Sequence, residues 1–229
     1  MKLMYALHTS LIAISQYLIF VEILPNLVSR LFKNQAIKAR VRLITEVITT
    51  FGLSVYWYLS HEMTFINYTN ISLIHIIVVL LVSIGLFLLS EMLIDPLLDR
   101  LFVNTSSNYK DQIDRLFSQS TRVIVKLCLL APIIEEILFR GIVQGTLQTI
   151  MNPIGSLVIA ASLFSIMHLN LKQALSSFVP SLLIGFIFQQ TNSIIMCVTI
   201  HMIYNTLSLI FLRPAQLPLH QQKDVGRAL

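Results

Sequence analysis

The 229 residues are 55% hydrophobic and only 12% charged, with a mean hydropathy of +0.78. Soluble domains carry roughly 25% charged residues, so the composition excludes an ordinary soluble enzyme and reads as one all-α polytopic membrane domain with little mass outside the bilayer. The net charge of +5 is explained by basic membrane-flanking loops rather than by a nucleic-acid partner.

Met1-Lys2 opens an apolar run that extends to about Leu24. That exceeds the roughly 7–15 residues of a signal-peptide core, and the run reads as a retained transmembrane helix. Crossing a bilayer takes about 20 apolar residues. Seven segments are predicted to cross: Leu3–Leu24, Leu43–Leu59, Ile71–Ile94, Val123–Gln148, Ile154–Leu169, Ala174–Gln189 and Ile194–Leu212. The second, fifth and sixth are short. Residues 1–122 carry N-terminal spans and loops without a motif, 123–213 a motif-bearing core, and 214–229 a short tail, all within one membrane domain.

Basic residues alternate between loops. Arg30, Lys33, Lys38, Arg40 and Arg42 fill the first, Ser60 to Asn70 holds none, and Arg100, Lys110, Arg115 and Arg122 mark the third. Lys172 precedes the sixth span, and Arg213, Lys223 and Arg227 lie in the tail. The positive-inside rule then places the N-terminus outside and the C-terminus in the cytoplasm of a multi-pass cell-membrane protein. The third loop, Asp95 to Thr121, reads either as a solvated connector or as holding an interfacial helix around Tyr109–Phe117. Pro153 and Gly155 mark a turn between spans four and five. Gly141-x-x-x-Gly145 is a small-residue pattern that allows close helix approach. Cys128 and Cys197 lie in apolar runs outside any CxxC pair and read as small buried hydrophobes.

The fourth span carries Glu135-Glu136-Ile-Leu-Phe-Arg140. Charges at this depth cost at least about 2.5–3.5 kcal/mol each on insertion scales. Glu136 and Arg140 are four apart and share a helix face, whereas Glu135 lies about 100° around the helix. One carboxylate can therefore face a site while the other pairs with the arginine. Phe164 and His168 share a face of span five, and His201 and Asn205 a face of the last span. Convergence of Glu135, His168, His201 and Asn205 would supply the groups for hydrolysis inside a membrane. His75 reads instead as a hydrogen-bonded packing residue, and Glu46 and Glu91 as interfacial or locally paired.

Glu-Glu-x-x-x-Arg, Phe-x-x-x-His and His-x-x-x-Asn in this order on successive apolar helices resemble the CPBP family of intramembrane proteases. This is the CAAX-processing, bacteriocin-processing and self-immunity group, also called Abi, and the likeness covers Val123 to Leu212. The resemblance implies that Glu135, with His168, activates a water, that His201 and Asn205 stabilise the oxyanion, and that Glu136, Arg140 and Phe164 support the site. It implies a membrane-associated peptide or protein as substrate and, in a bacterial host, bacteriocin self-immunity or peptide processing. Glu135, His168 and His201 would also serve as zinc ligands. With no His-Glu-x-x-His motif, and with Asn205 a better donor than ligand, the metal-free mechanism without a cofactor is favoured. A non-catalytic immunity or scaffold protein and a small proton-coupled transporter are the alternatives. The residues specify no oligomeric state.

Overall fold

The computed structural model of the protein describes residues 2–60, 72–102, 124–168 and 170–216. Among these, every element is helical and no β-strand forms. A membrane imposes this choice, because a helix satisfies its backbone hydrogen bonds internally where no water can.

The first rod joins α1 (Lys2–Tyr17), a π-helical stretch Leu18–Ile23 and α2 (Leu24–Arg30). α3 (Gln35–Ser60) folds back along it. The third rod joins α4 (Leu73–Leu89), π-helical Ser90–Ile94 and α5 (Asp95–Leu101). The fourth joins π-helical Lys126–Leu130, α6 (Ala131–Glu136), π-helical Ile137–Gln144 and α7 (Gly145–Gln148). α8 (Pro153–Ile166), α9 (Leu171–Thr191) and α10 (Ile194–Gln216) complete the bundle. Seven rods among the described residues overlap the seven predicted segments along the chain. Four of them, over Met4–Arg30, Leu73–Leu101, Leu171–Thr191 and Ile194–Phe211, are long and apolar enough to cross a membrane by length and composition. The protein is an all-α polytopic membrane protein.

The rods outrun the predicted boundaries. The first continues to Arg30 rather than Leu24, α3 starts at Gln35 rather than Leu43, and the third continues to Leu101 rather than Ile94. Arg30, Lys38, Arg40, Arg42 and Arg100 therefore sit on helix ends, not in loops. Pro25 and Pro96 lie where the predicted spans stop, yet neither ends its helix. A proline lacks an N–H and its ring crowds the carbonyl four residues back. Here the residue before each proline bonds five residues back instead: Leu24 N–H to Ile19, Asp95 N–H to Ser90 and, before Pro132, Ala131 N–H to Lys126. The widened turn makes room for the ring, and the proline takes the first helical positions of the following segment, where its missing donor costs least.

Other details also move. Pro153 and Gly155 lie inside α8, and the turn precedes them, with Asn152 Oδ1 accepting from the Gly155 N–H at 2.7 Å as an N-cap. His75 is hydrogen-bonded, as expected, near the start of its rod. It stands in the first turn of α4, where its Nδ1 meets the Ser72 hydroxyl at 2.7 Å in a capping box. Glu46 is paired locally, with Arg42 Nε at 3.3 Å. The segment Tyr109–Phe117 lies outside the described residues.

Polarity is inverted relative to a soluble protein. Ser83, Ser90, Glu136, Arg140, Gln144 and Ser156 are wholly buried, while Leu81, Met92, Leu97, Ile154 and Phe211 face outward. A core of Ala13, Tyr17, Leu53, Trp57, Ile134, Leu138 and Phe164 joins the first two rods to the fourth and fifth. Hydrogen bonds give the relative directions. Arg140 meets Ser181 and Gln144 meets the Gly185 carbonyl, so the fourth rod and α9 run parallel. Ser83 meets Ile200 and Tyr204 meets Ser90, so the third rod and α10 also run parallel.

Candidate active site

Glu136 is the hub. Its Oε2 accepts from Arg140 Nε at 2.7 Å, and its Oε1 lies 2.8 Å from His201 Nδ1. Neither Glu136 nor Arg140 has any exposed surface. Arg140 also donates from Nη2 to Ser181 Oγ at 3.1 Å, and its guanidinium sits 5.6 Å over the Phe164 ring. Gln144, one turn on, donates to the Gly185 carbonyl at 2.9 Å. These polar rungs tie the fourth rod to α9. An added Cβ on Gly185 would stand 2.6 Å from Leu157 Cδ1 and 2.9 Å from Gln144 Oε1.

Phe164 spaces the histidines. Its ring lies edge-on to His168 at 5.1 Å and to His201 at 6.0 Å, and is itself braced by Phe139 at 5.2 Å. His168 Nδ1 is 3.1 Å from the Phe164 carbonyl. A carbonyl only accepts, so Nδ1 carries the proton and Nε2 of a neutral His168 keeps a lone pair. The same reasoning puts a proton on His201 Nδ1, which faces a carboxylate.

Glu135 turns the other way from Glu136, as their offset on the helix requires. It is half-buried, and both His168 and His201 lie within electrostatic reach of it. Its Oε1 accepts from the Tyr17 hydroxyl at 3.3 Å. The same hydroxyl is 3.3 Å from Glu22 Oε1, and Lys126 Nζ holds both Glu22 oxygens at 3.1 Å. Asn205, a turn beyond His201, donates one of its two amide N–H groups to the Leu127 carbonyl at 2.8 Å.

The expected residues therefore gather around a sealed cluster of Glu136, Arg140, His201 and Phe164, with His168 packed on Phe164 and the half-buried Glu135 turned toward Tyr17. Glu135, His168 and His201 do not form a metal-binding triplet; among the described residues no three His, Cys, Asp or Glu side chains do. Sequence reasoning missed Tyr17, Glu22, Lys126, Gln144, Ser181 and Gly185. For Gln144 a signal existed, since it extends the Glu136–Arg140 face by another four residues.

Residues 117–207 match the family model described as Type II CAAX prenyl endopeptidase Rce1-like. The chain is 31% identical over 101 residues to the Bacillus subtilis (strain 168) protein named "Putative membrane peptidase YdiL", covering 44% of this chain and 41% of that one. It thus spans less than half the length of that relative. No solved structure matches.

Proposed function

Because residues 117–207 belong to the CPBP family of intramembrane proteases, we propose that the chain is a membrane endopeptidase in which Glu135, with His168, activates the hydrolytic water. The observation that carries this reading is the contrast between the adjacent carboxylates. Glu136 is fully buried and already held by Arg140 and His201, whereas Glu135 is only half-buried and accepts from the Tyr17 hydroxyl. A general base has to reach the water whose proton it takes. His168 contributes the Nε2 lone pair as an acceptor that orients the same water.

As the water's O–H bond breaks, its proton passes to Glu135 and its oxygen attacks the peptide carbonyl carbon. The carbonyl's π electrons move to the oxygen, and donors aimed there stabilise the charge. Asn205 supplies its second N–H. His201 donates from Nε2 only as the imidazolium, because Nδ1–H is already committed to Glu136, and that carboxylate is placed to balance the added charge. The substrate is a membrane-associated peptide or protein, and bacteriocin self-immunity or peptide processing is the setting to which the family likeness points.

The test is Glu135→Gln in the full chain, reconstituted in proteoliposomes with lipid-anchored, internally quenched peptides. Turnover is expected to fall by about 10²–10⁴-fold at unchanged protein level. Full turnover in that variant would replace the protease reading with a non-catalytic scaffold.

A further inference from the structure

Building on that reading of Glu135, we propose that the Tyr17 hydroxyl positions the Glu135 carboxyl group and serves it in both protonation states. The hydroxyl is shared between two carboxylates, at 3.3 Å from Oε1 of Glu135 and 3.3 Å from Oε1 of Glu22. A phenol has one hydrogen to donate and lone pairs to accept with. While Glu135 is a carboxylate, the Tyr17 hydrogen points to it and fixes the orientation of its free oxygen. Once Glu135 has taken the proton of the water, it becomes a donor. Its O–H then bonds to Tyr17 Oη, and the tyrosine hydrogen turns to Glu22. No proton leaves Tyr17, and neither state of Glu135 loses its hydrogen bond. Glu22 remains a fixed acceptor because Lys126 grips both its oxygens.

The surroundings are built to hold this arrangement. Tyr17 is 8% exposed and packed in the core that contains Ile134 and Leu138. Its neighbour Gln16 accepts from Trp57 Nε1 at 2.7 Å, which pins α1 to α3. Tyr17 and Glu22 are five residues apart, about 140° around an ordinary α-helix. The π-helical turn Leu18–Ile23 stacks residues at that spacing and brings Glu22 back to the Tyr17 hydroxyl that meets Glu135. Tyr17 lies outside the matched residues 117–207, so the first rod completes a site that the matched segment leaves open on this side.

The experiment uses proteoliposomes of the full chain and a quenched, lipid-anchored peptide selected because the wild type cleaves it. Tyr17→Phe keeps the ring and removes only the hydroxyl. Without the hydroxyl the free oxygen of Glu135 is no longer held in line with the water, and this misplacement is expected to lower kcat about tenfold, with KM within about twofold. Glu22→Gln is expected to lower kcat less, and Tyr17→Phe with Glu22→Gln to be no worse than Tyr17→Phe alone, because Glu22 acts only through the hydroxyl. Unchanged kcat in Tyr17→Phe, or a loss confined to KM, overturns the proposal. If Tyr17→Phe does not accumulate, Glu22→Gln decides, and wild-type kcat there overturns it. An inactive Glu135→Gln beside a fully active Tyr17→Phe rejects the positioning role and leaves the protease reading standing. An active Glu135→Gln rejects both.

Discussion

Glu135 and Glu136 differ in consequence as much as in environment. Removing one partner of a buried ion pair typically costs about 3–5 kcal/mol, because the other charge is stranded. Glu136→Ala leaves Arg140 with no carboxylate in a site that excludes water, and a clearly lowered unfolding midpoint in detergent is expected. Glu135→Gln should unfold close to wild type while losing turnover, so calorimetry or thermal shift alongside an activity assay separates the two. A strong chelator is expected to leave turnover unchanged, with no stoichiometric metal in the purified protein. Zinc lost and restored together with activity would give His201 to a metal instead. The sequence announced the division between the glutamates, since only Glu136 shares a face with Arg140. It could not announce Tyr17, whose partner is 118 residues away and whose local geometry departs from the α-helical period.

That departure is a property of elements. Pro25, Pro96 and Pro132 each sit just after a π-helical stretch, and each stretch re-aims the side chains beyond it. A reading in steps of 3.6 residues finds where the rods are and which faces of the regular parts pair. It loses the phase between Tyr17 and Glu22 across the widened turn Leu18–Ile23, and it stops the first and third spans before Pro25 and Pro96, which the helices in fact absorb. The stretch Ile137–Gln144 has no such proline. There the Arg140–Ser181 and Gln144–Gly185 bonds tie the widened turn to α9. Gly185→Ala tests how tight that seam is. Its methyl would stand 2.6 Å from Leu157 and 2.9 Å from Gln144, and overpacking of this kind typically costs about 1–3 kcal/mol. A lower unfolding midpoint is expected, relieved in part by Leu157→Ala, which clears the space beside it.

At the scale of the molecule, composition and the run of apolar segments were enough to establish an all-α membrane protein, because the bilayer leaves few alternatives. The orientation proposed from the basic residues is testable in a background lacking Cys128 and Cys197. Lys33→Cys is expected to label only from the cytoplasmic side and Ser72→Cys only from outside; the reverse pattern would invert the topology. One rod has a further consequence. α8 has 14 residues, which at 1.5 Å each rise about 21 Å, against a hydrocarbon thickness of about 30 Å. Ile154 and Ile166, near its two ends, both point outward. If α8 crosses the bilayer, as the apolar run Ile154–Leu169 predicts, it is in hydrophobic mismatch: lipid beside it must thin, or polar groups at its ends must lie below the membrane surface. His168 is two residues beyond that helix. A locally compressed bilayer would bring water and a peptide backbone to the depth of His168 more cheaply than an undisturbed one. Turnover in vesicles of graded acyl-chain length should accordingly rise as the chains shorten toward the height of α8, and a flat response would show that α8 does not set the depth of the reaction.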